Sequence, residues 1–372
     1  MRLAVTGAGG FLGWHVRVLA RALGWPEPVA VARAELADPA AVAARLDGTD
    51  RLVHLAGVNR SGDGRIAHDN VALARAVGRG LRRCAAPPKT VVYANSLHAG
   101  NGTPYGDAKA AAAAVLAEAC VDVDFVDLRM PRVYGEHGRP FGASVVATVC
   151  YQLAHDAVPT VPPDQVHELA HATDAAAALV DAGPGGCWDT RMPVLRLTGH
   201  ELAERLTAMA RTYRLGEIPA LTDRHDVRLF NTYRSMCFPR RYPMPLVRHA
   251  DARGDLVELV RSHGGAGQAF CSTSRPGVVR GEHFHLAKVE RFAVLRGTGE
   301  IALRRVGERG VVRFAVSGDH PVVVDMPSMW AHRITNTGPD ELLTAFWANE
   351  IYDPSQPDTY PEPVGPAPAV AA

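Results

Sequence analysis

Residues 3–15 read LAVTGAGGFLGWH. A short apolar strand enters a glycine-rich turn, which opens into FLGWHVRVLARALG, a segment with helical periodicity that closes on glycine. Gly7, Gly10 and Gly13 stand in a GxxGxxG spacing. Glycine there permits a tight turn and close backbone approach, and the helix N-terminus faces a negative ligand with free N–H groups. Strand, glycine triad and helix in that order make a cradle for the pyrophosphate of a dinucleotide. Gly7, Gly10, Phe11, Leu12 and Gly13 are therefore the first cofactor-binding candidates. A glycine-rich turn without a ligand is the weaker reading, because the flanking context is complete.

Working outward, VAVA, RLVHLAG, TVVYANS and VDFVDLR read as further strands. PAAVAARL, NVALARAVGRGLRRC and an alanine-rich stretch from Lys109 read as helices between them. Strands alternating with helices predict an α/β doubly wound parallel sheet. The pattern weakens after about residue 198, and from Leu246 the texture changes. QAFCST, RFAVLRG, EIALRRV, VVRFAVSG, PVVVDMP, AHRITNTG and LLTAFWANE are short strands divided by Gly, Pro, Asp and Asn, which predicts a small all-β sandwich or barrel. The expected division is a dinucleotide-binding domain over 1–235, a β domain over 242–355 and a flexible Pro- and Ala-rich tail over 356–372.

Composition excludes several classes. The 372 residues carry a formal net charge of +1 with both signs interleaved, which argues against nucleic acid and anionic membrane as partners. No apolar run reaches the roughly 20 residues that span a bilayer. The six cysteines are scattered without a CxxC pair, and the first residues enter a strand directly. Both features lead to the expectation of a cytoplasmic protein with reduced thiols.

The second strand ends near Arg33. A guanidinium there suits the 2′-phosphate of NADPH, while Glu35 keeps NADH open. Tyr105 and Lys109 in YGDAK lie four apart at a helix start, on one face, and Ser96 ends the strand TVVYANS. Strand end and helix start meet at the carboxyl edge of such a sheet, where ligands bind. A phenol needs its pKa lowered to act as a base near neutrality, and a neighbouring ammonium is the expected means.

With TGAGGFLG, HLAG, YANS, YGDAK and LRMPRVYG in place, residues 1 to about 200 resemble the extended short-chain dehydrogenase/reductases, which act mainly on nucleotide sugars. The resemblance implies a Rossmann fold, Ser96, Tyr105 and Lys109 as the catalytic group, and His54, Leu55, Ala56, Gly57 and Asn70 around the cofactor. It also implies a substrate pocket near Arg129, Pro131 and Arg132, although many relatives have asparagine at the position of Arg132.

A second constellation lies in GVVRGEHFHLAKVERFAVLRG, residues 277–297. Residues two apart on a strand share a face, so His283 and His285 can share an ion, and Glu290 returns to the same interior. PSMWAHRITN adds His332. Three imidazoles and one carboxylate suit zinc, with iron, nickel and manganese as alternatives. The pattern resembles a cupin, with Met329 where a glycine is usual, and a metal-free cupin is the competing reading.

The domain order resembles the bifunctional capsular and O-antigen polysaccharide enzymes of N-acetyl-L-fucosamine precursor synthesis, supported by VVATVCYQLAHD, DARGDLVE and WANEIYDPSQPDTY. That resemblance implies C3 epimerisation of a UDP-4-keto-6-deoxy sugar by the cupin, then NADPH-dependent C4 reduction, in a homodimer built through the cupin. Lys288 is a candidate base or charge stabiliser, and on alternation alone equally a surface lysine. A single-function reductase with a dimerising or sugar-binding cupin is the alternative. A non-enzymatic dinucleotide sensor is disfavoured because it has no need of Ser96, Tyr105 and Lys109.

Overall fold

The structure, a computed structural model, describes residues 1–59, 65–183, 185–189 and 192–365. The chain divides into two compact units, the first made of Met1–Tyr134, Gly142–Ser144 and Val166–Leu197. Along it run β1 (Leu3–Thr6), α1 (Phe11–Ala22), β2 (Val29–Val31), α2 (Pro39–Leu46), β3 (Arg51–His54), α3 (Ile66–Leu81), β4 (Thr90–Ser96), α4 (Pro104–Ala119) and β5 (Asp124–Met130). They are followed by β6 (Arg132–Tyr134), β7 (Val166–His171), α6 (Ala172–Asp181), β8 (Gly186–Asp189) and β9 (Val194–Thr198), with α5 (Val145–Ala154) belonging to the other unit.

The main sheet has the order β2-β1-β3-β4-β5-β8 with every pairing parallel. Parallel strands buried on both faces explain the near-continuous apolar runs, and Leu52, Val53, Val91 and Val92 are fully buried. Asp38 caps α2 by accepting from Ala40 N, and Thr103 caps α4 by accepting from Gly106 N; both helices start with proline, whose missing N–H costs nothing at that position. The strand order reverses at β1, between β2 and β3, so the loops after β1 and β3 border the crevice where such sheets take their ligands. A small separate sheet orders β6-β7-β9.

The second unit comprises Gly135–Phe141, Val145–Gln165 and Thr198–Ala372. It contains α5, α7 (Gly199–Arg214) and α8 (Arg224–Cys237), then β10 (Met244–Pro245), β11 (Arg248–Asp251), β12 (Gly254–Val257), β13 (Gln268–Ser274), β14 (Val279–Phe284) and β15 (Glu290–Arg296). β16 (Thr298–Arg305), β17 (Val311–Ser317), β18 (Val322–Met326), β19 (Trp330–Asn336), β20 (Leu342–Ala348) and β21 (Tyr360–Pro361) complete it. Two five-stranded sheets, β10-β18-β15-β20-β13 and β17-β16-β19-β14-β21, give the barrel-like all-β domain that the sequence predicts. All their pairings are antiparallel.

α7 and α8 fall with the β domain by contact, although the sequence placed them before the boundary. The reason is polar. Arg291 of β15 is buried and paired with Asp325 through 2.6 and 2.9 Å contacts, and Tyr213 of α7 donates to the same carboxylate at 2.6 Å. Arg234 of α8 donates to Met326 O at 3.1 Å, and Asn231 to Ala287 O at 2.5 Å. Without these helices the buried charges would lose partners.

The tail also departs from expectation. Residues 356–365 are ordered: Tyr360–Pro361 forms β21 against β14, and Glu362 and Val364 are buried. Proline-rich composition suggested disorder, but the segment buries a carboxylate beside Arg304 and a valine in a small core with Ala302 and Ala331. Residues 366–372 lie outside the described ones. Among the described residues no helix is long and apolar enough to cross a membrane.

Candidate active site and metal cluster

Gly7 sits at φ +71°, a conformation L side chains rarely adopt, and a Cβ there would lie 2.9 Å from Ala56 N. A Cβ on Gly13 would lie 2.2 Å from Gly7 O. The turn therefore has room only for glycine, which is the close backbone approach a pyrophosphate cradle requires. Helix α1 starts after Gly10 without a side-chain cap and without an acidic residue in its first turn. Its first N–H groups and partial positive charge stay available to an anion. The residues fit a dinucleotide.

The facing loop is fixed from beneath. The Thr6 hydroxyl accepts from Leu55 N and Ala56 N, both at 3.1 Å, so its proton goes to His54 Nδ1 at 2.7 Å. His54 is thereby kept neutral, and burial, helped by the Lys109 charge, lowers its pKa to about 3. Asn70 spends its amide on Val58 N, Val58 O and Ile66 O. It clamps the loop that borders Gly57, next to the cofactor position that the resemblance implies. Arg33 is exposed beyond β2. Glu35 already accepts from Ala32 N and Arg45 Nε, both at 2.7 Å.

Ser96 ends β4, Tyr105 lies in the first turn of α4, and Lys109 follows one turn later. Burial raises the Tyr105 phenol, and a hydrogen bond from Ser96 opposes it. The sequence led us to expect the ammonium to depress the phenol. Lys109 Nζ instead donates to Ala94 O at 2.6 Å and lies 4.2 Å from the Tyr93 ring centroid. Burial lowers Lys109 to about 8, with Asp127 acting against that shift. Tyr105 is thus a protonated acid at neutral pH beside a lysine that is still charged.

Asp127 organises the floor of this site. It accepts from Asn95 Nδ2 at 2.6 Å and from Arg129 Nε at 3.2 Å, while Asn95 Oδ1 accepts from Ser96 N. Arg129, expected at the substrate, anchors this network. Pro131 and Arg132 follow β5, and Arg132 is exposed at the start of β6. Tyr93 and Asn95 lie within YANS, which was read only for Ser96, and Asp127 lies in a buried strand whose apolar pattern gives a carboxylate no role.

In the second unit His283, His285, Glu290 and His332 converge, with potential ligand atoms all within 4.8 Å of one another. β14 supplies His283 and leads into His285, β15 opens with Glu290, and β19 carries His332. Glu290 Oε2 lies 3.2 Å from His285 Nε2 and 3.3 Å from His332 Nε2. His332 is fully buried, and its Nε2 makes no hydrogen bond despite that proximity. An orphaned imidazole nitrogen facing a carboxylate and two further imidazoles fits a divalent ion. Burial and the neighbouring imidazoles lower His283 to about 3, leaving a lone pair free, and His283 is the half-buried member.

Met329 stands at φ +61° and is fully buried, so the position where a glycine is usual does adopt the left-handed conformation. Its N–H donates to His285 O at 2.7 Å. Lys288 is buried, with Nζ donating to Pro357 O at 2.7 Å and lying 3.3 Å from Glu350. Asp251, Arg253 and Glu258, which lie within DARGDLVE, are exposed around the β11–β12 hairpin and its exit. The residue that sequence reasoning overlooked is Asp358, whose backbone oxygen is 2.5 Å from His285 Nδ1.

Comparison with known proteins agrees with this division. Residues 3–183 match the NAD dependent epimerase/dehydratase family and residues 249–360 the polysaccharide biosynthesis C-terminal domain. The chain is 27% identical over 381 residues to a UDP-2-acetamido-2,6-beta-L-arabino-hexul-4-ose reductase of Pseudomonas aeruginosa, covering 98% of this chain and 99% of that one. It is 28% identical over 122 residues to the spore coat polysaccharide biosynthesis protein SpsL of Bacillus subtilis, covering 30% of this chain and 81% of that one. Among solved structures, capsular polysaccharide assembling protein CapF from Staphylococcus aureus is 26% identical with a TM-score of 0.58, covering 98% of this chain and 100% of that one. Residues 3–183 therefore form a domain that matches the NAD dependent epimerase/dehydratase family, and residues 249–360 one that matches the polysaccharide biosynthesis C-terminal domain.

Proposed function

We propose that the protein is a nucleotide-sugar enzyme with two successive reactions. The His/Glu cluster epimerises C3 of a UDP-4-keto-6-deoxy (2-acetamido) hexose, and the Ser96–Tyr105–Lys109 site then reduces the C4 ketone with NADPH. The observation that carries this reading is the presence of both constellations in a chain similar, over nearly its whole length, to a UDP-4-ketosugar reductase.

NADPH, when bound, supplies the hydride. Tyr105, protonated because burial raises it, gives its proton to the ketone oxygen as the carbon is reduced. Ser96 orients that phenol, and the Lys109 ammonium supplies fixed positive charge in a desolvated site. Glu35, already engaged by Ala32 N and Arg45, is poorly placed to take a ribose hydroxyl, which leaves exposed Arg33 as the group for a 2′-phosphate. A divalent ion, zinc by its donor set, would be held by His283, His285, Glu290 and His332 and would supply the charge that makes the proton beside the ketone removable. Lys288, with its ammonium committed to Pro357 and Glu350, is better suited to holding the site together than to acting as its base.

A homodimer through the β domain is part of the proposal. β13 is an edge strand whose Ala269, Phe270 and Cys271 are exposed, and Ile351 and Tyr352 are exposed as well. An open apolar edge of this kind is ordinarily covered by another chain.

The test is turnover of the UDP-4-ketosugar with NADPH in deuterated water, followed by mass spectrometry and NMR of the product. Deuterium at C3 is expected in the wild type, lost in His283→Ala, while Tyr105→Phe keeps the exchange and loses reduction. A reduced product without deuterium at C3 would leave a single-function reductase with a dimerising domain.

A further inference from the structure

The segment after β20 adds only the two-residue edge strand β21 to one sheet, yet it touches the histidine cluster at two points. Asp358 stands at φ +41°, and its carboxylate accepts from Leu286 N at 2.8 Å, Ala287 N at 2.9 Å and Lys288 N at 2.8 Å. Three N–H groups on one carboxylate fix the peptide that carries it. The carbonyl of that same residue meets His285 Nδ1 at 2.5 Å. A carbonyl only accepts, so Nδ1 carries a proton, and with an ion in the cluster Nε2 would turn its lone pair to the metal in place of its 3.2 Å contact with Glu290 Oε2.

The second contact is with His283. β14 changes register between Gly281 and His283, with Glu282 at φ +60° inside the irregularity. Such a bulge re-aims the side chain that follows it. Here it is held by the same segment: Glu362 N donates to Glu282 O at 2.8 Å, Val364 N to Glu282 Oε2 at 2.6 Å, and Pro361 pairs with His283 in β21. Arg333, itself buried, donates to the other Glu282 oxygen at 3.0 Å. Lys288 Nζ on Pro357 O ties down the approach to Asp358.

We propose that residues 358–364 form a positioning clamp for the metal cluster. Asp358 sets the tautomer and ring orientation of His285, and the Glu282 contacts set His283. This rests on the metal reading given above. Asp358 is a positioning residue, since it acts through His285.

The test uses the full-length protein and cobalt(II), followed by its visible absorption and by competition with a chelator. Asp358→Ala is expected to weaken cobalt binding about 10- to 100-fold and to shift the visible bands at a temperature where circular dichroism is unchanged. Asp358→Asn, which restores an acceptor, is expected to recover part of the affinity. A merely structural role would lower the unfolding temperature and leave the bands and affinity of the folded protein as they were. Wild-type affinity and spectrum in Asp358→Ala would overturn the clamp while leaving the metal reading intact. A wild type that takes up no cobalt or zinc would overturn both. If Asp358→Ala does not fold, the same titration on Glu282→Gln decides: a several-fold loss supports the clamp and an unchanged affinity overturns it.

Discussion

Lys109 keeps a charge where charge is expensive. Its pKa falls from the ordinary 10.5 to about 8 in a site only 8% exposed. At about 1.4 kcal/mol per pH unit, that difference sets a burial cost of up to about 3 kcal/mol at neutral pH. The folded pKa lies below the unfolded one, so the cost is present in full below pH 8 and is relieved as pH rises toward 10.5. Lys109→Met should therefore raise stability by up to about 3 kcal/mol in urea titrations at pH 7, while abolishing ketone reduction. Loss of stability together with loss of activity would show that the ammonium is a net structural asset. At this scale the glycine triad, the Tyr105–Lys109 pair and the His283–His285 pair were legible, because each is a spacing within one short run of chain, whereas Ser96 and His332 lie on other elements. Asn70 and Lys288 were legible as residues but not in role: spacing places a side chain on a face and does not say which carbonyl it will meet. Asp358 lies inside the quoted WANEIYDPSQPDTY, but no role was legible for it in a proline-rich stretch without periodicity.

At the scale of elements, the junction of β1 with β3 carries a pH dependence. His54 is buried, donates nothing at Nδ1, and has a pKa lowered to about 3 against an ordinary 6.5. Protons thus bind preferentially to the unfolded chain between those values, and the stability His54 confers is present above 6.5 and lost as pH falls toward 3. Between pH 7 and pH 5 the loss should be about 2 kcal/mol. His54→Phe should flatten the urea-derived stability profile of the first unit by that amount over the same interval; an unchanged slope would place the acid sensitivity elsewhere. Strands and helices of this unit were readable from alternation alone, since buried parallel strands and capped helices leave strong local signals. The ligand-bearing turns were less so. Met329 occupies a left-handed position that a glycine would be expected to fill, and it does so because its side chain is entirely buried. Burying such a side chain is worth about 2 to 5 kcal/mol by large-to-small substitutions, against about 1 to 2 for the backbone strain.

For the whole molecule, the informative error was the domain boundary. Hydrophobic pattern assigns helices to the sheet they follow, whereas the buried Arg291–Asp325 pair and Arg234 assign α7 and α8 to the β domain. A fragment over 242–372 should consequently be unfolded or molten by near-UV circular dichroism, because it leaves Asp325 and Arg291 without Tyr213 and the Gly216 carbonyl. A fragment that unfolds cooperatively on its own would show these contacts to be dispensable. Each hydrogen bond lost from a buried charged group costs about 1.5 to 3 kcal/mol, and two such losses together are comparable to the stability of a small domain.

The division of the chain into interleaved segments bears on how the protein is made. The first unit needs residues 166–197 to finish its small sheet, yet the second unit has already begun at Gly135. As the polypeptide leaves the ribosome, residues 145–165 emerge before any of the β-strands they will join have been synthesised. Helix α5, whose Val146, Val149, Cys150 and Leu153 are buried, must wait for α7 and α8, the helices it packs against, which are complete only at Cys237. The two halves cannot mature as beads emerging in order, and the interval in which α5 is uncovered is where chaperone dependence and aggregation during expression should concentrate.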